Sequence, residues 1–245
     1  MGGVAGQIGR RGLSRFMHII GPTEKQSIEG VSPEFLSLGI EKSQALSWQA
    51  LEAIREGLRP GITETEAAAM AREVLESMGS PRSWHRPLIR FGVNTTKGFS
   101  DKSEGEGRLK ENDIYFLDLG PNWIVDGVEY EGDVGNTFII GEGIFLKECV
   151  DACRTLFKYS ARRWKEDKLT GPELYDALEA ETNRLGFILL RISDGHRLSE
   201  FPHQNYTRQG LTEISFSPAA HRWVLEVQIA DPDMRFGAFY EDLLC

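Results

Sequence analysis

Apolar residues recur at helical spacing between Leu36 and Leu58, with Leu46, Ala50, Ala53, Ile54 and Leu58 on one stripe, and Arg59-Pro60-Gly61 then stops the helix. Thr63 with Glu66 three residues on forms a capping box, opening an Ala-rich helix that runs through Leu75 and closes at Gly79. The pattern returns later. Phe145 to Trp164 reads as a long helix, Asp167-Lys168-Leu169 breaks it, and Thr170 with Glu173 repeats the capping-box spacing before a helix ending near Gly186. Both capped helices span the same distance, and each runs into strands. The echo predicts a duplicated helix-pair plus sheet unit related by a pseudo-two-fold.

Strand patterns occupy Leu88 to Phe91, Ile114 to Leu119, Gly127 to Ile140, Phe187 to Ile192, Trp223 to Ile229 and Ala238 to Leu244. The fold class is therefore α+β, with antiparallel hairpins packed under helices. Residues 1–33 are rich in Gly and lack periodicity, so they read as an N-terminal arm that covers the domain or contacts a partner subunit. Residues 34–245 read as a single domain.

Composition narrows the function classes. The 245 residues are 40% hydrophobic and 27% charged, ordinary for one compact domain. A net charge of -9 and a pI near 5.2, with no gathered Lys or Arg, argue against a nucleic-acid partner. The apolar run Phe16 to Ile20 is too short for a signal-peptide core or a membrane span. Gly6 stands where a myristoylation signal needs Ser or Thr, so no membrane partner is expected. Cys149, Cys153 and Cys245 are an odd number in a long chain, which suggests free thiols and a cytoplasmic setting. Cys149 and Cys153, four apart on a helix, offer either two thiols to a metal or, more simply, two small core residues.

The chemistry lies in acids placed inside apolar strands. Asp118 interrupts Ile114 to Leu119, where an unpaired carboxylate would cost several kcal/mol. Asp126-Gly127 suits a two-residue hairpin loop, and with that loop Asp133 faces Gly120 and lies diagonal to Asp118 on the same face. Such diagonal neighbours stand roughly 7–8 Å apart, within reach of a shared metal pair. Pro121 interrupts pairing and favours a bulge. Glu226 and Glu241 repeat the oddity in later strands. His196, in Asp194-Gly195-His196-Arg197, is the candidate imidazole, and His203 follows seven residues on. Oxygen-rich sites with one imidazole suit Mn, Fe, Co or Zn.

These residues resemble the pita-bread metallopeptidases, which comprise methionine aminopeptidase, Xaa-Pro aminopeptidase, prolidase and the metal-free relative creatinase. Asp118-Leu119-Gly120 and Glu131 to Phe138 are similar to the family's two Asp motifs, and the likeness covers roughly residues 36–245. The resemblance implies two divalent ions. Asp133 and Glu241 would bridge them, Asp118 would chelate one, and His196 with Glu226 would bind the other. It also implies a bridging hydroxide as nucleophile, Glu226 as proton acceptor, and His203 as donor to the substrate carbonyl or oxyanion.

The sequence departs from that pattern around the substrate. Lys97 to Asp101 lacks the family's substrate-contacting histidine, Arg197-Leu198-Ser199 lacks the usual Gly after the metal histidine, and Gln204 replaces a Glu. The loop between the two aspartates is a few residues longer than usual. His85, in Trp84-His85-Arg86-Pro87, either enters the site to bind substrate or is a surface or packing histidine. The resulting expectation is a dinuclear hydrolase of a peptide or peptide-like amide, aminopeptidase-like, acting on a small peptide or small molecule, in a chain that could form a homodimer. The alternatives are a non-peptidase metal-dependent enzyme on a small biosynthetic, amide or amidine substrate, and a non-catalytic scaffold.

Overall fold

The computed structural model describes residues 23–192 and 194–245. In chain order the elements are α1 (Glu24–Ile28), α2 (Ser37–Gly57), α3 (Glu64–Ser77), β1 (Leu88–Phe91), β2 (Asp113–Leu119), β3 (Asn122–Val125), β4 (Val128–Glu131) and β5 (Val134–Ile140). They continue as α4 (Ile144–Asp167), α5 (Gly171–Arg184), β6 (Ile188–Leu189), β7 (Val224–Ala230) and β8 (Gly237–Leu243).

Both capping boxes form. Thr63 and Glu66 start α3, Thr170 and Glu173 start α5, and the glycines that close these helices, Gly79 and Gly186, take φ of +91° and +82°. The main sheet has the order β1-β2-β5-β8-β7-β6 with antiparallel neighbours throughout. The first helix-pair unit supplies β1, β2 and β5, and the second supplies β8, β7 and β6, so the order reads alike from either edge. Each unit has its own core: Leu51, Ile54, Ala67 and Leu117 pack in the first, and Leu156, Leu174, Leu178 and Val227 in the second. Cys149 and Cys153 are buried in that second core among apolar side chains.

The hairpin after β2 keeps the register expected of a loop at Asp126 and Gly127. Both loop residues have positive φ, Val125 pairs with Val128, Asn122 with Glu131, and Asp118 with Gly135. The run Gly127 to Ile140, expected as one strand, is two. Pro121 has no N–H to donate, so the ladder is interrupted there, although its carbonyl still accepts from Gly132 N at 2.7 Å. Beyond the break β3 and β4 form a separate two-stranded ribbon. The strand expected from Phe187 to Ile192 is confined to Ile188–Leu189 at the sheet edge. The chain turns at Arg191 and Ile192, and beyond it His196 bridges to Gly210 and Arg197 to Trp223.

Of the expected arm, residues 1–22 lie outside the described residues. The remainder lies on the second half of the chain: Arg197 donates to Gly30 O, Ser32 N to Glu200, and Trp223 Nε1 to Glu29.

Candidate metal centre

The acids converge because of sheet register. Asp118 on β2 pairs with Gly135 on β5, Gly135 with Glu241 on β8, and Glu241 with Glu226 on β7. Residues directly opposite in antiparallel strands point to the same face, so this row sets three carboxylates side by side across four strands. Gly135 is the gap in the row, where a Cβ would stand 2.2 Å from the Phe239 ring. Asp133 precedes Gly135 by two residues and joins the same face. Gln44 of α2 grips the Asp133 peptide from both sides, accepting from its N–H at 3.0 Å and donating to its carbonyl.

His196 arrives from the segment after β6. Tyr175 of α5 positions it, because its hydroxyl accepts from Gly195 N at 2.8 Å and donates to Glu226 O at 2.9 Å. His196 Nε2 then stands 2.8 Å from Asp133 Oδ2 and 3.9 Å from both Glu226 Oε1 and Glu241 Oε1. His85 also reaches the cluster, with Nε2 3.4 Å from Asp118 Oδ1 and 3.5 Å from Asp133 Oδ1. All six residues line one cavity of about 290 Å³. His203 does not line it. Its ring stacks on Trp84, 3.8 Å between centroids, and its Nδ1 lies 3.2 Å from the buried carboxylate of Glu131.

The donor set fits divalent cations. Asp133 is 1% exposed, yet neither of its carboxylate oxygens receives an aligned hydrogen bond among the described residues, the kind of orphaned buried acceptor that a bound cation satisfies. Burial alone would lower both imidazoles, but Asp118 and Asp133 hold His85 at about 9, and Asp133 and Glu226 hold His196 at about 9. Burial pushes Asp118 up to about 6, and burial with three neighbouring carboxylates pushes Glu241 well above the usual range. Asp133 is buried as well, but His196 and His85 bring it down to about 2. Without metal, protons on the imidazoles and Glu241 are what balance this cluster.

The sequence model of metallopeptidase family M24 matches residues 39–242. The chain belongs to metallopeptidase family M24. Methionine aminopeptidase of Helicobacter pylori is 28% identical over 181 residues, covering 70% of this chain and 70% of that protein. Among solved structures, a prolidase from Pyrococcus horikoshii OT3 shares the fold with a TM-score of 0.70 at 18% identity, covering 89% of this chain and 61% of that one. Methionine aminopeptidase from Thermotoga maritima gives 0.65 at 16% identity, covering 86% and 92%. X-Pro aminopeptidase from the same organism gives 0.65 at 18% identity, covering 89% of this chain and 60% of its own. The chain thus spans less than two thirds of the X-Pro aminopeptidase and prolidase chains. The architecture they share is the pita-bread α+β fold.

In this M24 chain the segment Lys97 to Asp101 is tied to Arg90 by hydrogen bonds. Buried Arg90 donates to Gly98 O at 2.8 Å and Asp101 O at 2.7 Å, while Asp101 accepts from Gly98 N at 2.8 Å. Lys97, Gly98 and Phe99 line the cavity together with an apolar cluster of Leu88, Phe116 and Phe239. Sequence reading missed Gln44, Glu131 and this cluster. Gln44 had one visible signal: it falls at helical spacing on the same face of α2 as Ile40 and Leu51. The cluster had none, since its three residues come from separate strands.

Proposed function

We propose that this M24 chain is a dinuclear hydrolase of peptide or peptide-like amide bonds, with Asp118, Asp133, His196, Glu226 and Glu241 as metal ligands. The observation that carries the reading is the row of carboxylates across β2, β5, β8 and β7, with Asp133 and His196 closing it. Two bound ions, of Mn, Fe, Co or Zn, would supply a water of lowered pKa and a polarised carbonyl.

The remaining work falls to the protein. Glu226, which borders the open cavity, accepts the proton that the attacking water gives up. Leu88, Phe116 and Phe239 take an apolar substrate group and exclude water from it. His203, its ring 5.2 Å from that of His196 and its Nδ1 3.2 Å from the Glu131 carboxylate, is assigned as the donor to the developing oxyanion. Buried thiols that stay reduced suit a cytoplasmic setting. No described helix is long and apolar enough to cross a membrane.

Lys97 and Phe99, facing the cavity where family relatives carry a histidine, favour a second reading in which the substrate is a small non-peptide amide or amidine. A panel of dipeptides and small amides, run with each metal, separates the two readings. Metal content of the wild type and of Asp133→Ala tests the centre itself. Equally little metal in both would refute it, and full loading without any turnover would leave a scaffold.

A further inference from the structure

Two triads of donor atoms share one residue. His85, Asp118 and Asp133 each offer an atom within 4.8 Å of the others, and so do Asp133, His196 and Glu241. The shared carboxylate uses a different oxygen in each: Oδ1 lies 3.5 Å from His85 Nε2, and Oδ2 lies 2.8 Å from His196 Nε2. Each side of Asp133 therefore holds one imidazole and one further carboxylate.

His85 comes from the loop between α3 and β1, which main-chain contacts dock beside Asp118. Trp84 N donates to Gly120 O at 2.9 Å, Asn122 N donates to Arg82 O at 2.8 Å, and Ser83 bridges to Pro121. Gly120 admits the ring, since a Cβ there would stand 2.0 Å from His85 Cδ2 and 2.3 Å from its Nε2. The two histidines are held alike. His85 Nδ1 lies 2.8 Å from Arg86 O, and His196 Nδ1 lies 3.1 Å from Arg197 O. A proton given to that carbonyl selects the tautomer whose Nε2 presents a lone pair, as metal-bound imidazoles do.

A histidine that contacts substrate needs its free nitrogen turned to the open cavity. The free nitrogen of His85 faces two carboxylates instead, 3.4 Å from Asp118 Oδ1. Two donors about 2.1 Å from one ion at a tetrahedral angle stand about 3.4 Å apart. We infer that His85 is a sixth metal ligand, on the Asp118 side of Asp133, giving each ion one imidazole. The inference rests on the dinuclear reading above. The added nitrogen shifts that side from an all-oxygen site toward borderline ions such as Zn or Co, and away from Mn.

The test counts metal and donors, with turnover measured separately. The metal-free full chain is titrated with Co(II), and X-ray absorption gives the number of imidazoles per bound ion. Wild type should bind two ions with one imidazole each on average. His85→Ala should keep the His196 side and weaken the other ion by more than about 100-fold, beyond the usual effect of losing a group that only orients a ligand. Free imidazole should restore that ion. His85→Asn, which keeps a polar side chain at the position without reaching the Nε2 site, should lose the same ion, and guards against a folding defect in the alanine variant. If His85→Ala holds both ions as tightly as wild type, the inference is overturned, and a rise in KM alone would mark a substrate contact. A wild-type chain that binds no cobalt would overturn the dinuclear reading instead.

Discussion

Glu226 and Glu241 face each other directly across β7 and β8, with Glu241 2% exposed. Like charges opposed in a ladder repel, and with two further carboxylates beside it Glu241 folds without metal only by taking up a proton, a cost that glutamine does not carry. Removing metal should therefore lower the melting temperature, and Glu241→Gln should raise that of the chelated protein while lowering that of the metal-loaded protein. Relief on the order of 1–2 kcal/mol corresponds to roughly 2–8 °C in a chain of this size. Differential scanning calorimetry with and without chelator checks it; a chelated variant that melts below chelated wild type would contradict the repulsion.

The metal-free protein should lose stability as pH rises from about 6.5 toward 9. His85 and His196 are held at about 9 in the folded chain, whereas unfolded imidazole titrates near 6.5. A raised folded pKa stabilises fully below the unfolded value, and the gain disappears as pH passes the folded one. Metal must displace those protons, so binding at pH 7 should release them and tighten with pH. Calorimetric titration in buffers of different ionisation enthalpy counts the protons, and a count of zero would contradict the assignment.

Gln44→Ala should weaken metal binding although Gln44 is no ligand. Its amide satisfies both the N–H and the carbonyl of Asp133 and donates to Asp242 at 2.9 Å. Leaving these buried groups unpaired costs about 1–3 kcal/mol. Urea unfolding of the metal-free variant measures that loss, and cobalt titration measures the displaced carboxylate.

Gly120→Ala should act on the Trp84-His85 loop. The added methyl would meet His85 at 2.0 Å and Trp84 Nε1 at 2.6 Å, so the loop must lift. Tryptophan fluorescence should change, and metal should be lost from the Asp118 side with the His196 side retained. An unchanged spectrum and full loading would show that the loop tolerates the methyl.

Glu131→Gln should lower kcat by about 10- to 100-fold with metal content unchanged, because the carboxylate 3.2 Å from His203 Nδ1 orients that ring. His203→Ala should do the same, and the double variant should be no worse than either single one. Additive losses would separate the two residues.

Much of the fold was legible because it is written in local chemistry. Capping boxes at Thr63 and Thr170, stop signals at Gly79 and Gly186, and the Asp126-Gly127 turn are decided by neighbours a few residues away. The hairpin register follows from that turn alone, so it survives the interruption at Pro121. The buried acids were legible for another reason: a carboxylate in an apolar strand is costly wherever the strand packs.

What the sequence by itself determined, then, was the four long helices and most of the sheet strands, their duplication and the identity of the costly acids. The tertiary structure decided which of them meet. The pairing of β5 with β8 joins residues more than a hundred positions apart and completes the row from Asp118 to Glu226. The docking of residues 82–85 against 120–122 brings His85 to Asp118 and Asp133, and no local rule predicts it. Such contacts depend on the shape of two packed surfaces at once, and pattern along a single chain carries no record of that shape.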